Sequence, residues 1–223
     1  MSLHAEQGNL IQIKLPSPQL KGKTSLEEVI ARRRSVRRYK PEPLTLLQVS
    51  QILWSSQGIT EAGKLRATPS AGASYPLEVF ILIGKQAITA SSSEAKQSLY
   101  KEDLSAGIYH YEVDTHSLRL HLQGDFRLDL ARAALDQGFI ASAPVDIVIC
   151  TLYSRTCYTY GKRGERYIYI EVGHVGENIH LQAVALGLAT VEVGAFNDEE
   201  VRKILAVEEA VKPLYIMPIG KPR

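Results

Sequence analysis

Cysteine, methionine and tryptophan are scarce in this 223-residue chain, which holds two Cys, two Met and one Trp. Two cysteines, Cys150 and Cys157, are too few for a disulfide framework, and their spacing matches no metal motif. Long hydrophobic runs are missing as well, and no stretch approaches the roughly 20 apolar residues that span a bilayer. Neither sign of charge dominates: 26 Lys and Arg stand against 24 Asp and Glu, a net charge of +2. The spread of basic residues that a nucleic-acid reader needs is therefore absent. No Gly-x-Ser-x-Gly elbow is present, which disfavours a serine hydrolase. Met1 to Pro18 has no continuous apolar core and ends in Leu15-Pro16-Ser17-Pro18. Residues 1–20 thus read as an extended lead-in rather than a signal peptide, ahead of one domain at 21–223. A cytoplasmic location with no membrane contact is the expectation.

What is there is an ordinary globular composition with clear periodic segments. Thr24-Ser25-Leu26-Glu27 and Thr45-Leu46-Leu47-Gln48 are capping boxes that open two short helices, with Pro41 and Pro43 between them. Leu77-Glu78-Val79-Phe80-Ile81-Leu82-Ile83 reads as a buried strand, and the apolar run Val145 to Leu152 as a central strand buried on both faces. Gly107–Val113 and Leu118–Leu122 flank Asp114-Thr115-His116-Ser117 as a hairpin. Asp125–Gln137 is predicted helical. The longest helix runs roughly from Glu165 to Gly187, with a stripe of Ile168, Val172, Val175, Ile179, Ala183 and Leu186. Strands are expected at Leu188–Val193 and Leu214–Ile219, and a short helix from Asn197. Lys85–Leu104 is polar and reads as irregular. Strands and helices are interspersed without strict βαβ order, which predicts an α+β fold with a mixed, mostly antiparallel sheet flanked by helices.

Four segments carry chemistry. Arg33-Arg34-Ser35-Val36-Arg37 offers three guanidinium forks and a hydroxyl at a helix end, a set suited to a phosphate monoester. Pro69-Ser70-Ala71-Gly72-Ala73-Ser74-Tyr75-Pro76 is nearly free of bulk, so its backbone can approach a planar ligand. Val193-Gly194-Ala195-Phe196 ends a strand with small residues, and Lys221 and Arg223 add cations after the last strand. Each has an ordinary alternative: a solvated helix end, a plain turn, a frayed tail. Taken together they suit a cofactor with a phosphate at one end and a flat polar ring at the other, such as FMN. Glu171-x-x-His174 and Glu177-x-x-His180 match a di-iron element, but both lie on one helix and face different ways. They read as solvated or hydrogen-bonded side chains. The tyrosines at 153, 158, 160, 167 and 169 read equally as an aromatic pocket or as core with wet hydroxyls.

On these segments the chain resembles the nitroreductase family of FMN-dependent oxidoreductases, which are intertwined homodimers. The resemblance runs from about Leu15 to Arg223. Its further signposts are Leu53-Trp54-Ser55-Ser56-Gln57-Gly58, Gly107-Ile108-Tyr109-His110-Tyr111, Arg166-Tyr167 with Glu171-Val172-Gly173-His174, and Gly187-Leu188. The branch it looks most like is that of the SagB-type thiazole/oxazole-forming dehydrogenases and their stand-alone relatives. The resemblance implies that Arg33, Arg34, Ser35 and Arg37 hold the FMN phosphate together with Lys221 and Arg223. It puts Pro69, Ser70, Ala71, Gly72, Ala73 and Ser74 beside the ring, from the other subunit. It also puts Gly194 and Ala195 near the ring where N5 accepts hydride, and Gln137 near the ribityl chain or ring. The long helix becomes the dimer core, with Gly173 and Gly176 small for close packing.

Two departures stand out. Peptide-azoline dehydrogenases of this branch carry a Lys-Tyr pair before the long helix, where this chain has Thr159-Tyr160 followed by Gly161-Lys162-Arg163. Typical nitroreductases have Asn where Ala73 stands. The implied function is ping-pong hydride transfer through flavin N5, from NAD(P)H or an organic donor to a small organic acceptor. Tyr160 is then the candidate for protonating or orienting substrate. The alternatives are oxidation of an azoline in a modified peptide and a flavin-binding protein without turnover.

Overall fold

The computed structural model describes residues 11–61, 65–89 and 104–223. In chain order the elements are β1 (Gln12–Lys14), α1 (Leu26–Arg32), β2 (Leu44–Thr45), α2 (Leu46–Gln57), β3 (Ile59–Glu61) and β4 (Leu65–Arg66). A 3-10 turn at Ala71–Ala73 precedes β5 (Leu77–Ile83), β6 (Ile88–Thr89), β7 (Gly107–Glu112), β8 (Ser117–Gln123), α3 (Arg127–Ala133) and α4 (Gly138–Ser142). The chain ends with β9 (Val145–Leu152), α5 (Tyr153–Tyr160), α6 (Arg163–Ala185), β10 (Ala189–Thr190), α7 (Asp198–Ile204) and β11 (Val211–Gly220).

Seven strands form the main sheet in the order β1-β8-β7-β5-β9-β11-β10, and each pairing in it is antiparallel. Parallel pairing among the described residues is confined to the small β2–β6 pair. Strand β9 lies inside the sheet, between β5 and β11. Its Val145, Ile147 and Ile149 join a core with Ile168, Val172, Val175 and Ile179 of α6 and with Val49, Ile52 and Leu53 of α2. Its Val148 and Cys150 face the opposite way, toward Leu130 and Ala131 of α3, Ile140 of α4 and Val201 of α7. Helices cover both faces, so β9 turns neither side to solvent, and its run is apolar apart from the buried Asp146 and Thr151. Each fully buried branched side chain in this core contributes roughly 1.5–3 kcal/mol of transfer free energy.

Local chemistry sets the helix ends. Thr45 closes a complete capping box with Gln48, each side chain bonding the other's backbone N–H. At α1 the cap is Ser25, one residue beyond the expected Thr24, and its hydroxyl accepts from Glu28 N–H at 3.2 Å. Other expectations also shift. The predicted Asp125–Gln137 helix is shorter because Leu135 and Asp136 take positive φ, which breaks α3 from α4. The expected Leu188–Val193 strand contracts to Ala189–Thr190 plus a single bridge from Val193 to Ile216. The last strand begins earlier than expected, at Val211. Of the polar Lys85–Leu104 stretch, residues 90–103 lie outside the described residues, as do residues 1–10 of the lead-in.

Candidate functional site

Two groups of residues form at the ends of α6, and the four segments singled out in the sequence divide between them. The first is built around the loop that follows α1. Val36 N–H bonds Thr190 O at 3.0 Å, which lays the loop along β10. The C-terminal residues then pair with the same loop. Lys40 N–H bonds Lys221 O at 2.9 Å, Arg223 N–H bonds Arg38 O at 3.1 Å, and Tyr39 bridges to Pro222. Buried Tyr39 locks the join, its hydroxyl donating toward Val36 O at 2.7 Å and Pro218 O at 3.2 Å. Burial, with Asp146 nearby, pushes its phenol well above the ordinary range, so it stays a donor. Gly220 is required at this crossing: a Cβ there would lie 2.9 Å from Pro144 and 3.0 Å from Tyr39.

Among the described residues, Arg33, Arg37, Arg38 and Arg223 form no salt bridge, and Ser35 is exposed between them. Unpaired guanidinium groups held by an ordered backbone are a donor set that fits a phosphate. Two expected members are otherwise engaged. Arg34 folds back, its Nη1 donating to Arg33 O at 2.6 Å and Ala31 O at 3.2 Å, and so caps the carbonyl end of α1. Lys221 Nζ lies 2.8 Å from Glu42, which that cation holds below the usual carboxylate range. Its charge is therefore committed, and Lys221 contributes to the join chiefly through its backbone carbonyl.

The Val193–Phe196 segment belongs to the same group. Val193 pairs with Ile216 through both backbone groups, and Gly194 and Ala195 beyond it are exposed. Gln137 Nε2 donates to Ala195 O at 2.9 Å and to Ala134 O at 2.8 Å. Gln137 thus orients the Gly194–Ala195 backbone. One residue past α4's start, Phe139 receives the Arg37 guanidinium 5.8 Å from its ring centroid, which ties the arginine loop to α4.

The second group is the Pro69–Pro76 loop, fastened to α5 and α6. Ser70 Oγ donates to Glu171 Oε2 at 2.6 Å and accepts from Tyr75 N–H at 3.0 Å. Ser74 and Thr156 share a hydroxyl bond at 2.7 Å, and Arg155 donates to Tyr75 O at 3.0 Å. The Arg66 guanidinium stacks 4.3 Å from the Tyr75 ring centroid. Gly72 has φ +60, and a Cβ on it would lie 2.7 Å from the Tyr160 hydroxyl. The candidate substrate-orienting residue, Tyr160, therefore stands directly over the loop, with Tyr167 edge-on at 5.2 Å. Of the other tyrosines, Tyr153 and Tyr169 pair at 2.9 Å between hydroxyls, and Tyr158 is almost fully exposed. The five form no common pocket.

Several residues at these groups escaped sequence reasoning. Glu171 is buried, and desolvation lifts its pKa to about 6 against the Ser70 hydroxyl, the Arg66 cation and the Gln57 amide. Its Oε1 and the buried Gln57 Nε2 make no formed hydrogen bond with each other or with a third group. His180 is likewise buried, bonded to Arg34 O and to Glu192. The doubled Glu-x-x-His pattern was the available signal. Two of its members, Glu171 and His180, are hydrogen-bonded inside, and His174 and Glu177 are exposed. Nine residues separate Glu171 from His180, about 13 Å of rise and two and a half turns, so α6 serves the two groups from opposite sides. Gly176 is small because the Tyr215 ring lies 3.3 Å from where its Cβ would be, whereas a Cβ on Gly173 would meet only open space.

Comparison with known proteins gives this geometry a family. The model of the nitroreductase family matches residues 30–221. The nitroreductase-family protein MJ1384 of Methanocaldococcus jannaschii is 40% identical over 96% of this chain and 98% of its own length. The microcin B17-processing protein McbC of Escherichia coli is 24% identical over 79% of this chain and 62% of that protein. Among solved structures, a nitroreductase-family protein of Ralstonia eutropha superposes with a TM-score of 0.78 at 24% identity, covering 95% of this chain and 90% of that one. With the family model matching residues 30–221 and a relative 40% identical over nearly the whole of both chains, the chain belongs to the nitroreductase family of oxidoreductases.

Proposed function

We propose that this chain is an FMN-dependent oxidoreductase acting as a homodimer, with NAD(P)H or an organic donor delivering hydride and a small organic molecule removing it from the same pocket in ping-pong order. The observation that carries the reading is the backbone interlock between Arg38–Lys40 and Lys221–Arg223, beside guanidinium groups that have no acidic partner among the described residues. FMN, when bound, supplies hydride acceptance and release at N5. The protein's part is to bind and orient. Arg33, Arg37 and Arg223 would hold the phosphate with the Ser35 hydroxyl, and the backbone at Gly194–Ala195, tethered by Gln137, would meet the ring.

The Pro69–Ser74 loop would serve the ring of the second subunit. Support comes from the rise of α6, which keeps this loop's Glu171 anchor about 13 Å from His180 and the arginine loop of its own chain. Open space beside Gly173, with Tyr169 and Ile170 exposed on the same helix, agrees with α6 as the dimer core. Tyr160, standing over Gly72, would orient substrate or hold a proton at its hydroxyl.

A second reading, oxidation of an azoline in a modified peptide, draws on the likeness to McbC and on the same position of Tyr160. Against it, Thr159 stands where the Lys of the Lys-Tyr pair would be, so the exposed Lys162 would have to reach over in its place. Titration of the purified protein with FMN, followed by absorbance, tests the shared core of both readings. No spectral shift would end them. Anaerobic addition of NADH or NADPH then separates the two. Bleaching of bound FMN is the expected result, and its absence would favour an organic or peptide donor.

A further inference from the structure

The arginine loop and the Gly194 segment are joined by one buried side chain. His180 in α6 is fully buried, with Nε2 3.1 Å from Arg34 O and Nδ1 2.7 Å from Glu192 Oε1. A carbonyl and a carboxylate only accept, so both bonds form together when each ring nitrogen carries a hydrogen. Glu177 brings its own carboxylate into the same cluster from the exposed side. Both imidazole nitrogens serve protein acceptors in this arrangement.

The position of Glu192 makes this cluster matter. It stands two residues before Gly194, on the segment against which the arginine loop is laid, and is about three-quarters buried. Arg33 is near enough for its charge to help hold Glu192 ionised, after the larger effect of the His180 bond. Yet no Arg33–Glu192 salt bridge forms. A largely buried carboxylate deprived of its partner would recruit a cation within reach of its field, and Arg33 is one. Resting on the FMN reading above, we propose that His180 is a positioning residue for the flavin phosphate: it occupies Glu192 and so leaves the Arg33 guanidinium free for the anion. Its second bond, to Arg34 O, fixes the turn of backbone from which Arg33 and Ser35 project.

The test compares FMN with riboflavin, which differs only by the phosphate, using fluorescence quenching to obtain both dissociation constants. His180→Gln keeps the volume and an amide donor for Arg34 O but removes the ring nitrogen that faces Glu192. The expected result is a loss of about tenfold or more in FMN affinity, the scale of one charge-assisted hydrogen bond, with riboflavin affinity little changed. Adding Glu192→Gln to His180→Gln removes the competing carboxylate and should restore most of the FMN preference. A merely structural histidine would weaken both flavins alike and gain nothing from the second change, and either result would overturn the inference. Wild-type protein that binds neither flavin would overturn the FMN reading along with it. If His180→Gln does not fold, Glu192→Gln alone decides: FMN affinity equal to or above wild type supports the proposal, and a loss confined to FMN refutes it.

Discussion

Ser70 Oγ donates to the buried Glu171 Oε2 across 2.6 Å, and the same hydroxyl accepts from Tyr75 N–H. This pair closes the Pro69–Pro76 loop onto α6. The loop needs such a fastening, because Ala73 and Tyr75 both take positive φ, at 51° and 45°, which L side chains rarely adopt. Each such residue costs of order 1–3 kcal/mol and persists only where its surroundings hold it. Ser70→Ala would leave both Glu171 oxygens without a donor. A loss of about 1–3 kcal/mol in urea unfolding is expected, and a loss below a few tenths would show that the loop holds itself.

Glu171 should also write a pH signature on stability. Burial lifts its pKa from 4.5 to about 6, so the folded chain keeps this proton where the unfolded chain has lost it. Between those values the native state binds more protons, and stability falls as pH rises, by about 2 kcal/mol in all. Glu171→Gln removes that contribution and leaves every other titration in place. Unfolding free energies of wild type and variant, compared at pH 4 and pH 7, should therefore diverge by about 2 kcal/mol in the variant's favour at the higher pH. A difference independent of pH would mean that the carboxyl pays no penalty for ionising.

Gly72 and Tyr160 are coupled by contact. Gly72→Ala adds a Cβ at a φ of +60 and 2.7 Å from the Tyr160 hydroxyl, so it should cost about 1–2 kcal/mol from strain alone and more from the clash. Tyr160→Phe removes the crowding oxygen and keeps the ring against Tyr167. The double variant should then lose less than the sum of the two singles, as read in a thermal or urea double-mutant cycle. Strict additivity would separate Tyr160 from the loop.

The sequence displayed the parts of this fold that one physical effect dominates. Leu77–Ile83 and Val145–Leu152 were legible to the residue because strands covered on both faces are apolar over most of their length, with Glu78, Asp146 and Thr151 the polar exceptions. The stripe of α6 was legible because a sheet face selects it. Helix α5 was not: Tyr153–Tyr160 is rich in Tyr, Thr and Ser, and only Thr156 in it is buried, so neither propensity nor periodicity marks it. The arginine loop announced itself through charge, but the different tasks of Arg34 and Arg33 depend on backbone carbonyls that a sequence does not show. Glu171 and His180 were visible as a motif whose meaning lay in burial. A helix buried on more than one side turns polar residues on its opposite faces into fastenings for two separate loops, and only packing reveals which loops those are.

Arg37 and Gln137 predict opposite patterns of flavin discrimination. Arg37 presents an exposed guanidinium without a carboxylate partner among the described residues, so Arg37→Ala should weaken FMN by tenfold or more, about 1.4 kcal/mol or above, and leave riboflavin nearly untouched. Gln137 instead tethers the Ala195 carbonyl, so Gln137→Ala should loosen the ring-side backbone and weaken both flavins by similar factors. Lys221→Gln gives the control: with its ammonium committed to Glu42, it should cost FMN less than Arg37→Ala does. The three variants, titrated with both flavins under one buffer and ionic strength, yield six constants with a fixed expected order. Should Gln137→Ala discriminate against FMN as Arg37→Ala does, the ring-side role of Gly194–Ala195 would be withdrawn and the segment reassigned to the phosphate.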